Sequence, residues 1–268
     1  MMGPYRLPAE RLRGMRILAT AATRGIGFAV ARALAAEGAD VVLTGSRAES
    51  VAAATDTLRG LGGRVEGFVL DVADALSIAA GVRSARTRLG AVDALFANVP
   101  GARAGALGDV GESDWREAFD LYLLSLLRLV DALGPDLEAA GPGRVVAITS
   151  YAALERIDGL ALSNVIRPAV HALVRELATS LGPRGVLVNA VAPGRVDTER
   201  VRAVDGAAAA RSGQSVEAVR ADIARAMPLR RYADPDEVAR VVAFLLSREN
   251  TYVQGQCVLV DGGLVRSP

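Results

Sequence analysis

The sequence predicts a three-layer α/β protein built on a doubly wound, parallel sheet of about seven strands. Short β-branched or leucine-rich runs alternate with longer amphipathic stretches, and glycine follows many of the latter, where helices commonly end. Hydrophobic residues make up 51% of the chain but aromatics only 4%, so Ala, Val and Leu must fill the core. This composition suits helices packed closely on a buried parallel sheet.

The order of the elements predicts right-handed β-α-β crossovers throughout. The expected strands cover residues 16–20, 40–44, 65–70, 94–97, 144–149, 187–191 and 256–260. The expected helices cover residues 26–37, 48–61, 75–89, 112–139, 163–181 and 234–246, with Gly38, Gly62, Gly90, Gly141 and Gly182 following five of them. No linker divides the chain, so we expect one domain over residues 1–268, with residues 1–13 as an N-terminal extension.

One connection is unusually long. Residues 199–227 lie between the sixth strand and the last helix, are rich in Ala and Arg, and are interrupted at Gly206 and at residues 212–214. Long connections in compact domains are often lids over a ligand. We therefore expect this insertion on the substrate side of the molecule.

Charge and composition exclude several classes of function. The net charge is +1, from 31 basic and 30 acidic residues spread along the chain, so no basic face predicts a nucleic-acid partner. The single Cys257 and the single His171 predict neither a disulfide nor a metal site. We interpret Cys257 as a core residue and His171 as a packing or interface residue. No apolar stretch is long enough to span a membrane, and the N-terminus lacks an apolar signal core, which predicts a cytoplasmic protein. All basic residues are arginine, a bias typical of a GC-rich, bacterial genome.

A glycine-rich turn predicts a site for a dinucleotide. Residues 20–27 read TAATRGIG, follow a predicted strand and open a helix, so backbone N–H groups can point at a pyrophosphate. The turn resembles that of the short-chain dehydrogenase/reductase family, which reads TGxxxGIG. Ala21 replaces the first glycine, and we expect it to keep a negative φ and to reshape the turn only modestly. The residues expected here are Thr20, Ala21, Thr23, Arg24, Gly25, Ile26 and Gly27.

The resemblance runs from about residue 13 to residue 263 and implies a Rossmann-type fold that binds a nicotinamide dinucleotide. The segment Leu70-Asp71-Val72 resembles the family's adenine-binding segment, which implies that Asp71 and Val72 contact the adenine. Asn98 matches one Asn of the family's Asn-Asn-Ala-Gly segment. Residues 189–198 resemble the family's Pro-Gly segment, which implies that nicotinamide lies near Pro193, Gly194, Val196 and Thr198.

The end of the second strand favours NADP(H) over NAD(H). Ser46 and Arg47 follow it where an acidic residue would pair with a ribose 2′-hydroxyl, and both Arg24 and Arg47 could face a 2′-phosphate. The alternative interpretation is that these two arginines are solvated surface cations.

The resemblance also locates a reaction site whose usual residues are changed. The family's Ser is present as Ser150, but Ser163 stands 13 residues on where Tyr is usual, and Arg167 replaces the Lys. Tyr122 stands at the position of the family's Asn. A serine hydroxyl is far less acidic than a phenol, so Ser163 cannot replace the Tyr as a proton donor.

Tyr122 is the candidate for the missing acid, with Arg167 as the nearby cation. For Tyr122 the alternative is a core tyrosine whose hydroxyl is tied to a backbone group. Tyr151 is another possible donor but ranks below Tyr122, because adjacent residues at a strand end point in opposite directions. For Ser150 the alternative is a hydrogen bond to local backbone, and for Ser163 it is a helix N-cap. Pro168 predicts that the helix begins later or kinks near Arg167.

We therefore expect an atypical NADP(H)-dependent oxidoreductase that reduces a small carbonyl or conjugated, polyketide-like enone in a biosynthetic reaction. Two alternatives remain open: a non-redox enzyme of cyclase or dehydratase type, and a cofactor-binding partner without turnover. Residues 253–263 resemble the family's subunit-contact region, which implies a homotetramer or homodimer.

Overall fold

A computed structural model of the protein describes residues 11–266, so most of the predicted N-terminal extension, residues 1–10, lies outside the described residues. Seven strands form one parallel sheet in the order β3-β2-β1-β4-β5-β6-β7. They are β1 (Arg16–Ala19), β2 (Asp40–Gly45), β3 (Val65–Val69), β4 (Ala94–Ala97), β5 (Gly143–Ile148), β6 (Val186–Pro193) and β7 (Cys257–Val260). The strand order reverses between β1 and β4, which confirms the predicted doubly wound architecture.

Helices cover both faces of the sheet. They are α1 (Gly25–Ala36), α2 (Ala48–Leu58), α3 (Ala75–Leu89), α4 (Glu112–Phe119), α5 (Ser125–Ala139), α6 (Ala161–Leu181), α7 (Glu199–Ser212), α8 (Val216–Ala226) and α9 (Pro235–Leu246). Successive strand residues belong to opposite cores: Ile17 and Ala19 pack with α1 and α9, whereas Leu18 between them packs towards α3, α5 and α6. A strand buried on both faces explains the nearly continuous apolar runs of the sequence.

The helix predicted over residues 112–139 is interrupted. A π-helical segment, Asp120–Leu124, separates α4 from α5, and the N–H of Ser125 bonds back to the carbonyl of Asp120. The extra residue in this turn shifts the register of the helix, so the residues on either side of it face different neighbours. Tyr122 lies in this segment.

Pro168 does not delay the start of α6, so the expectation of a later start is wrong. The helix begins at Ala161, before the predicted Ser163, and runs through Pro168 to Leu181. Its first turns are fixed by packing, because Leu162 and Ile166 are buried and the Asn164 amide bonds both backbone groups of Ile157. These contacts outweigh the backbone hydrogen bond that proline removes.

The long connection over residues 199–227 is helical. It forms α7 and α8, each started by a side-chain cap, from Thr198 to the Val201 N–H and from Ser215 to the Ala218 N–H. Asp205 of α7 is fully buried and anchors the segment by ion pairs to Arg195, 2.9 Å, and to Arg220, 3.1 Å. The role of this segment as a lid stays a prediction.

Within residues 11–266, no helix is both long enough and apolar enough to cross a bilayer. Within the same residues, no three His, Cys, Asp or Glu side chains come together in a way that could hold a metal ion.

Candidate active site

One cavity of about 620 Å³ lies along the carboxyl ends of the strands. Its first end is lined by the glycine turn and by the residues that follow β2 and β3. Its second end is lined by Tyr122, Ser150, Ser163 and Arg167, and the first part of α7 covers the side between them. The topological switch between β1 and β4 therefore opens into the same space as all four predicted catalytic residues.

The glycine turn differs from the prediction at its second residue. Ala21 has a φ of +44°, so the expectation of a negative φ is wrong. The chain must turn back sharply between β1 and α1, and the turn demands the left-handed region that glycine enters without steric cost. The Ala21 carbonyl accepts a hydrogen bond from the Asn98 amide at 2.9 Å, which helps to hold this conformation.

Gly27 has no room for a side chain. A Cβ there would lie 2.4 Å from the Ala21 carbonyl oxygen and 2.7 Å from the Asn98 amide nitrogen. The residue thus lets the first turn of α1 pack against the end of β1 and against the loop after β4. Gly25 has a φ of +54°, and a Cβ built on it would lie 3.4 Å from the Thr198 methyl group.

The start of α1 has the chemistry that a pyrophosphate needs. Its N-cap, Arg24, has an extended backbone and provides no side-chain acceptor for the first N–H groups of the helix. Thr23, Gly25, Ile26 and Gly27 all line the cavity. Uncapped N–H groups at the positive end of a helix are well suited to an anion, so these residues fit the diphosphate of a dinucleotide.

Thr20 and Asn98 form hydrogen bonds with each other at the edge of the cavity. Thr20 is fully buried and is not among the cavity-lining residues; its hydroxyl donates to the Asn98 carbonyl at 2.7 Å and accepts from the Asn98 N–H at 3.0 Å. This contact ties the ends of β1 and β4 to each other. Asn98 itself does line the cavity.

The residues that directly follow β2 are Ser46 and Arg47, and neither is a carboxylate. β2 ends in Gly45, and a Cβ there would lie 2.6 Å from the Thr23 methyl group, so the strand end packs directly on the glycine turn. Ser46 lines the cavity, whereas Arg47 does not and donates to the Ser50 hydroxyl at 3.2 Å. Arg24 is exposed and lies 3.6 Å from a carboxylate oxygen of Glu199 on α7.

Of the remaining predicted cofactor residues, most line the cavity and one is buried beneath its surface. Asp71 and Val72 line the cavity, and one Asp71 oxygen accepts from the Ala73 N–H at 2.9 Å. Pro193, Gly194 and Thr198 also line it, but Val196 is buried beneath the surface. Thr198 has a second role as the N-cap of α7, at 3.3 Å from the Val201 N–H.

Tyr122 is buried, with only 3% of its surface exposed, and it borders the cavity. The Ala102 N–H donates to its hydroxyl at 2.6 Å, and the Ser163 hydroxyl lies at 3.4 Å. Burial raises the pKa of the Tyr122 hydroxyl, but the Arg167 charge and the hydrogen bonds of Ser163 and Ala102 outweigh it, so the pKa lies below its ordinary value. The Tyr122 hydroxyl is therefore bonded to backbone, and its role as the acid stays a prediction.

The guanidinium of Arg167 stacks on the Tyr122 ring, with its central carbon 3.9 Å from the ring centroid. It donates to the Ile148 carbonyl at 2.9 Å, while its Nε has no partner. Burial lowers the pKa of Arg167, and the adjacent Tyr122 hydroxyl partly offsets this. A guanidinium nevertheless stays charged at neutral pH, so a permanent cation lies against the phenol.

Both predicted serines reach the cavity. The Ser150 hydroxyl accepts from the Ala152 N–H at 3.1 Å, which is the local backbone bond expected of a strand-end serine, and its own proton remains available. Ser163 does not cap α6, because the N-cap is Leu160 and Ser163 lies inside the helix. The N-cap interpretation of Ser163 is therefore wrong, and its hydroxyl is turned towards Tyr122.

Two further titratable groups lie close by. Tyr151 also lines the cavity, but burial raises the pKa of its hydroxyl and the Arg195 charge only partly offsets this. Below the cavity, the His171 Nε2 lies 2.8 Å from the Thr149 hydroxyl and 3.0 Å from the Cys257 thiol. Burial, with the charges of Arg167 and Arg175, lowers the pKa of His171 to about 4, so the side chain is neutral at pH 7.

The sequence analysis does not identify two arginines that line the cavity, one in α7 and one in the segment before it. Arg195 lines the cavity and pairs with the buried Asp205. Arg200 lines it too, and donates to the Ala102 carbonyl at 2.7 Å. No motif or periodicity identifies Arg200, because its partner lies 98 positions away in the chain.

Comparisons with known proteins agree with this geometry. A family model described as enoyl-(acyl carrier protein) reductase matches residues 20–265. Dehydrogenase/reductase SDR family member 4 of Mus musculus is 34% identical over 247 residues, which are 92% of this chain and 85% of that protein.

Two solved structures are similar over nearly the whole chain. L-sorbose reductase from Gluconobacter frateurii, complexed with NADPH and L-sorbose, superposes with a TM-score of 0.91 at 26% identity and covers 97% of this chain and 100% of that one. A variant of actinorhodin polyketide ketoreductase with NADPH superposes with a TM-score of 0.90 at 28% identity, covering 97% and 100%. From its sheet, its glycine turn and these relatives, the chain belongs to the short-chain dehydrogenase/reductase family.

Proposed function

We propose that the protein is an NADP(H)-dependent oxidoreductase that reduces a small ketone or conjugated enone, with Tyr122 in place of the family's usual proton donor. One observation carries the proposal. A single cavity joins the glycine turn at one end to a buried, acidified phenol at the other, and the phenol is stacked on a permanent cation. These are the groups that a hydride transfer coupled to protonation of an oxygen requires.

The first end of the cavity fits a dinucleotide phosphate. The uncapped N–H groups at the start of α1 would hold the diphosphate, and Asp71 would accept from the adenine. Arg24 is exposed at the turn and can bind a 2′-phosphate once it leaves Glu199, and no carboxylate of the Gly45-Ser46-Arg47 segment opposes that charge. The NADPH bound to both similar structures supports the same choice.

Bound NADPH would supply the hydride to the carbonyl carbon. The chain's own part is to orient and protonate the substrate oxygen. Ser150 and Ser163 each have a hydroxyl proton to donate to that oxygen. The Ala102 N–H can only donate, so it occupies a lone pair of the Tyr122 hydroxyl and leaves the phenol proton directed elsewhere, with Ser163 at 3.4 Å as its neighbour.

We propose that the proton passes from Tyr122 to Ser163 as Ser163 gives its own proton to the substrate oxygen. One O–H bond breaks and one forms at Ser163, and the alcohol product carries the hydride and the proton. Tyr122 is left as a phenolate, stabilised by the Arg167 charge and by the Ala102 N–H, and regains a proton from water. A conjugated enone, such as a polyketide-like substrate, needs the least acid assistance, and the similarity to a polyketide ketoreductase supports this substrate class.

The test combines cofactor binding with turnover. We expect purified protein to bind NADPH in calorimetry and to consume it, followed by absorbance, with at least one member of a panel of ketones and enones. Tyr122→Phe should lose about 10²–10⁴ in kcat, the usual value of general acid catalysis, with an unchanged Kd for NADPH. Tyr151→Phe, the neighbouring tyrosine with a raised pKa, should lose far less.

The outcomes separate the alternatives. Binding of NADPH with no turnover of any substrate would favour a non-redox enzyme or a binding partner on the same scaffold. Failure to bind either NADPH or NADH at millimolar concentration would reject the oxidoreductase altogether. Equal losses of kcat in Tyr122→Phe and Tyr151→Phe would show that Tyr122 is not the general acid.

A further inference from the structure

Arg200 forms a bridge between helix α7 and the loop that follows β4. Its Nη2 donates to the Ala102 carbonyl at 2.7 Å, and the N–H of the same residue donates to the Tyr122 hydroxyl at 2.6 Å. Both polar groups of Ala102 are therefore engaged, one by α7 and one by the phenol. A single residue of the loop connects the cavity cover to the proposed proton donor.

The approach of Arg200 depends on a glycine. A Cβ built on Gly101 would lie 2.7 Å from the Arg200 Nε and 3.0 Å from its Cζ, so the guanidinium lies flat against the bare backbone at Gly101. Gly101 is not among the glycines with a positive φ, so the backbone itself does not demand glycine there. The space beside Gly101 is what admits the arginine.

We propose that Arg200 is a positioning residue for the reaction: from α7 it clamps Ala102, so that the Ala102 N–H holds the Tyr122 hydroxyl in place for proton transfer. This inference rests on the proposed function, because it gives Tyr122 its role as the acid. Helix α7 thus has a second role besides covering the cavity: through Arg200 it completes the hydrogen bonds around the Tyr122 phenol.

The charges around Tyr122 support the assignment. Arg167 faces it from α6, together with the uncharged Ser163, and Arg200 contributes from α7 as a second cation that lowers the Tyr122 pKa. On its own helical segment, the neighbouring carboxylate of Asp120 is paired with Arg128 at 2.8 Å. Loss of Arg200 should therefore both loosen the Ala102 N–H and remove one of the two cations that favour the phenolate.

The position of α7 is itself well supported. The fully buried Asp205, one and a half turns beyond Arg200, holds Arg195, Arg220 and the Tyr232 hydroxyl at 2.9, 3.1 and 3.0 Å. Arg200 thus projects from a helix that is fixed to the rest of the protein. Substituting Arg200 should leave this anchor intact.

The first test titrates Tyr122 directly and needs no substrate. The chain contains five tyrosines, so ¹³Cζ-tyrosine labelling gives a small set of NMR signals, and the signal missing in Tyr122→Phe identifies Tyr122. We expect Arg200→Ala to move the titration midpoint of Tyr122 upward, and Arg200→Lys, which keeps the charge, to move it less. An unchanged midpoint in Arg200→Ala would overturn the inference whether or not the protein turns over NADPH.

The second test displaces the guanidinium without removing it. We expect Gly101→Ala to shift the Tyr122 titration in the same direction as Arg200→Ala. The matched control is Gly108→Ala in the same loop, where a Cβ meets nothing within 4 Å and φ is not positive. A shift in Gly108→Ala as large as that in Gly101→Ala would contradict the proposal, since it would show a general effect on the loop.

The third test uses the pH profile of turnover. In the direction of alcohol oxidation the phenolate is the base, so kcat rises with pH through the Tyr122 midpoint. Below that midpoint we expect Arg200→Ala to lower kcat about two- to tenfold, in proportion to the lost phenolate, with the profile shifted upward and the KM for NADP⁺ unchanged. Arg202→Ala, a surface arginine of the same helix, should leave the profile in place. A fall in kcat at all pH values with no shift would mean that Arg200 acts only structurally.

Discussion

The left-handed backbone at Ala21 leads to a measurable prediction. A non-glycine residue in this region costs about 1–2 kcal/mol, and Ala21 holds a φ of +44°. Its methyl group is only partly buried, so little packing is lost when it is removed. Glycine at the same position costs about 0.4–1 kcal/mol through the greater freedom of the unfolded chain. We therefore expect Ala21→Gly to raise the free energy of unfolding by about 0.5–1 kcal/mol.

The matched control is the next residue. Ala22 is fully buried and does not have a positive φ, so Ala22→Gly loses its buried methyl and gains only flexibility. We expect that variant to be destabilised by about 1.5 kcal/mol. Urea unfolding followed by circular dichroism, with the two midpoints compared at a constant m value, measures the difference. A loss of stability in Ala21→Gly similar to that in Ala22→Gly would refute the left-handed turn.

Two other predictions concern cofactor choice and pH. Arg24→Ala should weaken NADPH binding about tenfold and leave NADH binding unchanged, because one charge-assisted hydrogen bond, partly screened by solvent, is lost. Calorimetry with both cofactors measures this. The control is Arg32→Ala, because Arg32 is a surface arginine that forms an ion pair with Asp236. Equal weakening of NADPH and NADH would show that Arg24 does not read the 2′-phosphate. The pKa of His171 falls from 6.5 in the unfolded chain to about 4 in the fold, so between these pH values the unfolded state binds more protons than the folded state. The free energy of unfolding is therefore fully present above pH 6.5, and up to about 3 kcal/mol of it is lost as the pH falls towards 4. His171→Leu should show a smaller loss in urea unfolding between pH 7.5 and pH 4.5, and equal losses in both proteins would exclude His171 as the cause.

The corrections to the sequence predictions share one physical origin. A helix N-cap at Ser163 and a later helix start at Pro168 are both inferences from the nearest residues in the chain. In the fold, α6 begins earlier because Leu162 and Ile166 are buried against other elements. Tertiary packing of this kind outweighs local preferences worth only a few kcal/mol.

The π-helical turn within residues 112–139 is another feature that the sequence pattern does not predict. The apolar periodicity of residues 112–139 predicts one continuous helix, and the chain is indeed helical throughout that range. The π-helical turn at Tyr122 leaves no mark in the pattern, because one extra residue in a turn is a small change in spacing. Yet this turn lies at the residue on which the proposed chemistry depends.

The amino-acid sequence alone is enough to predict the layers of the fold, the order of its elements and the glycine turn, because periodicity and turn chemistry encode such features locally. The four residues Tyr122, Ser150, Ser163 and Arg167 are predicted from the resemblance to the short-chain dehydrogenase/reductase family, and their roles stay a prediction. Three features become visible only in the folded chain: the left-handed backbone of Ala21, the stacking of Arg167 on Tyr122, and the hydrogen bond from Arg200 to the Ala102 carbonyl. Each of these depends on groups that lie between 45 and 98 positions apart or on the space that such groups leave, and no short-range pattern records which distant side chains will meet.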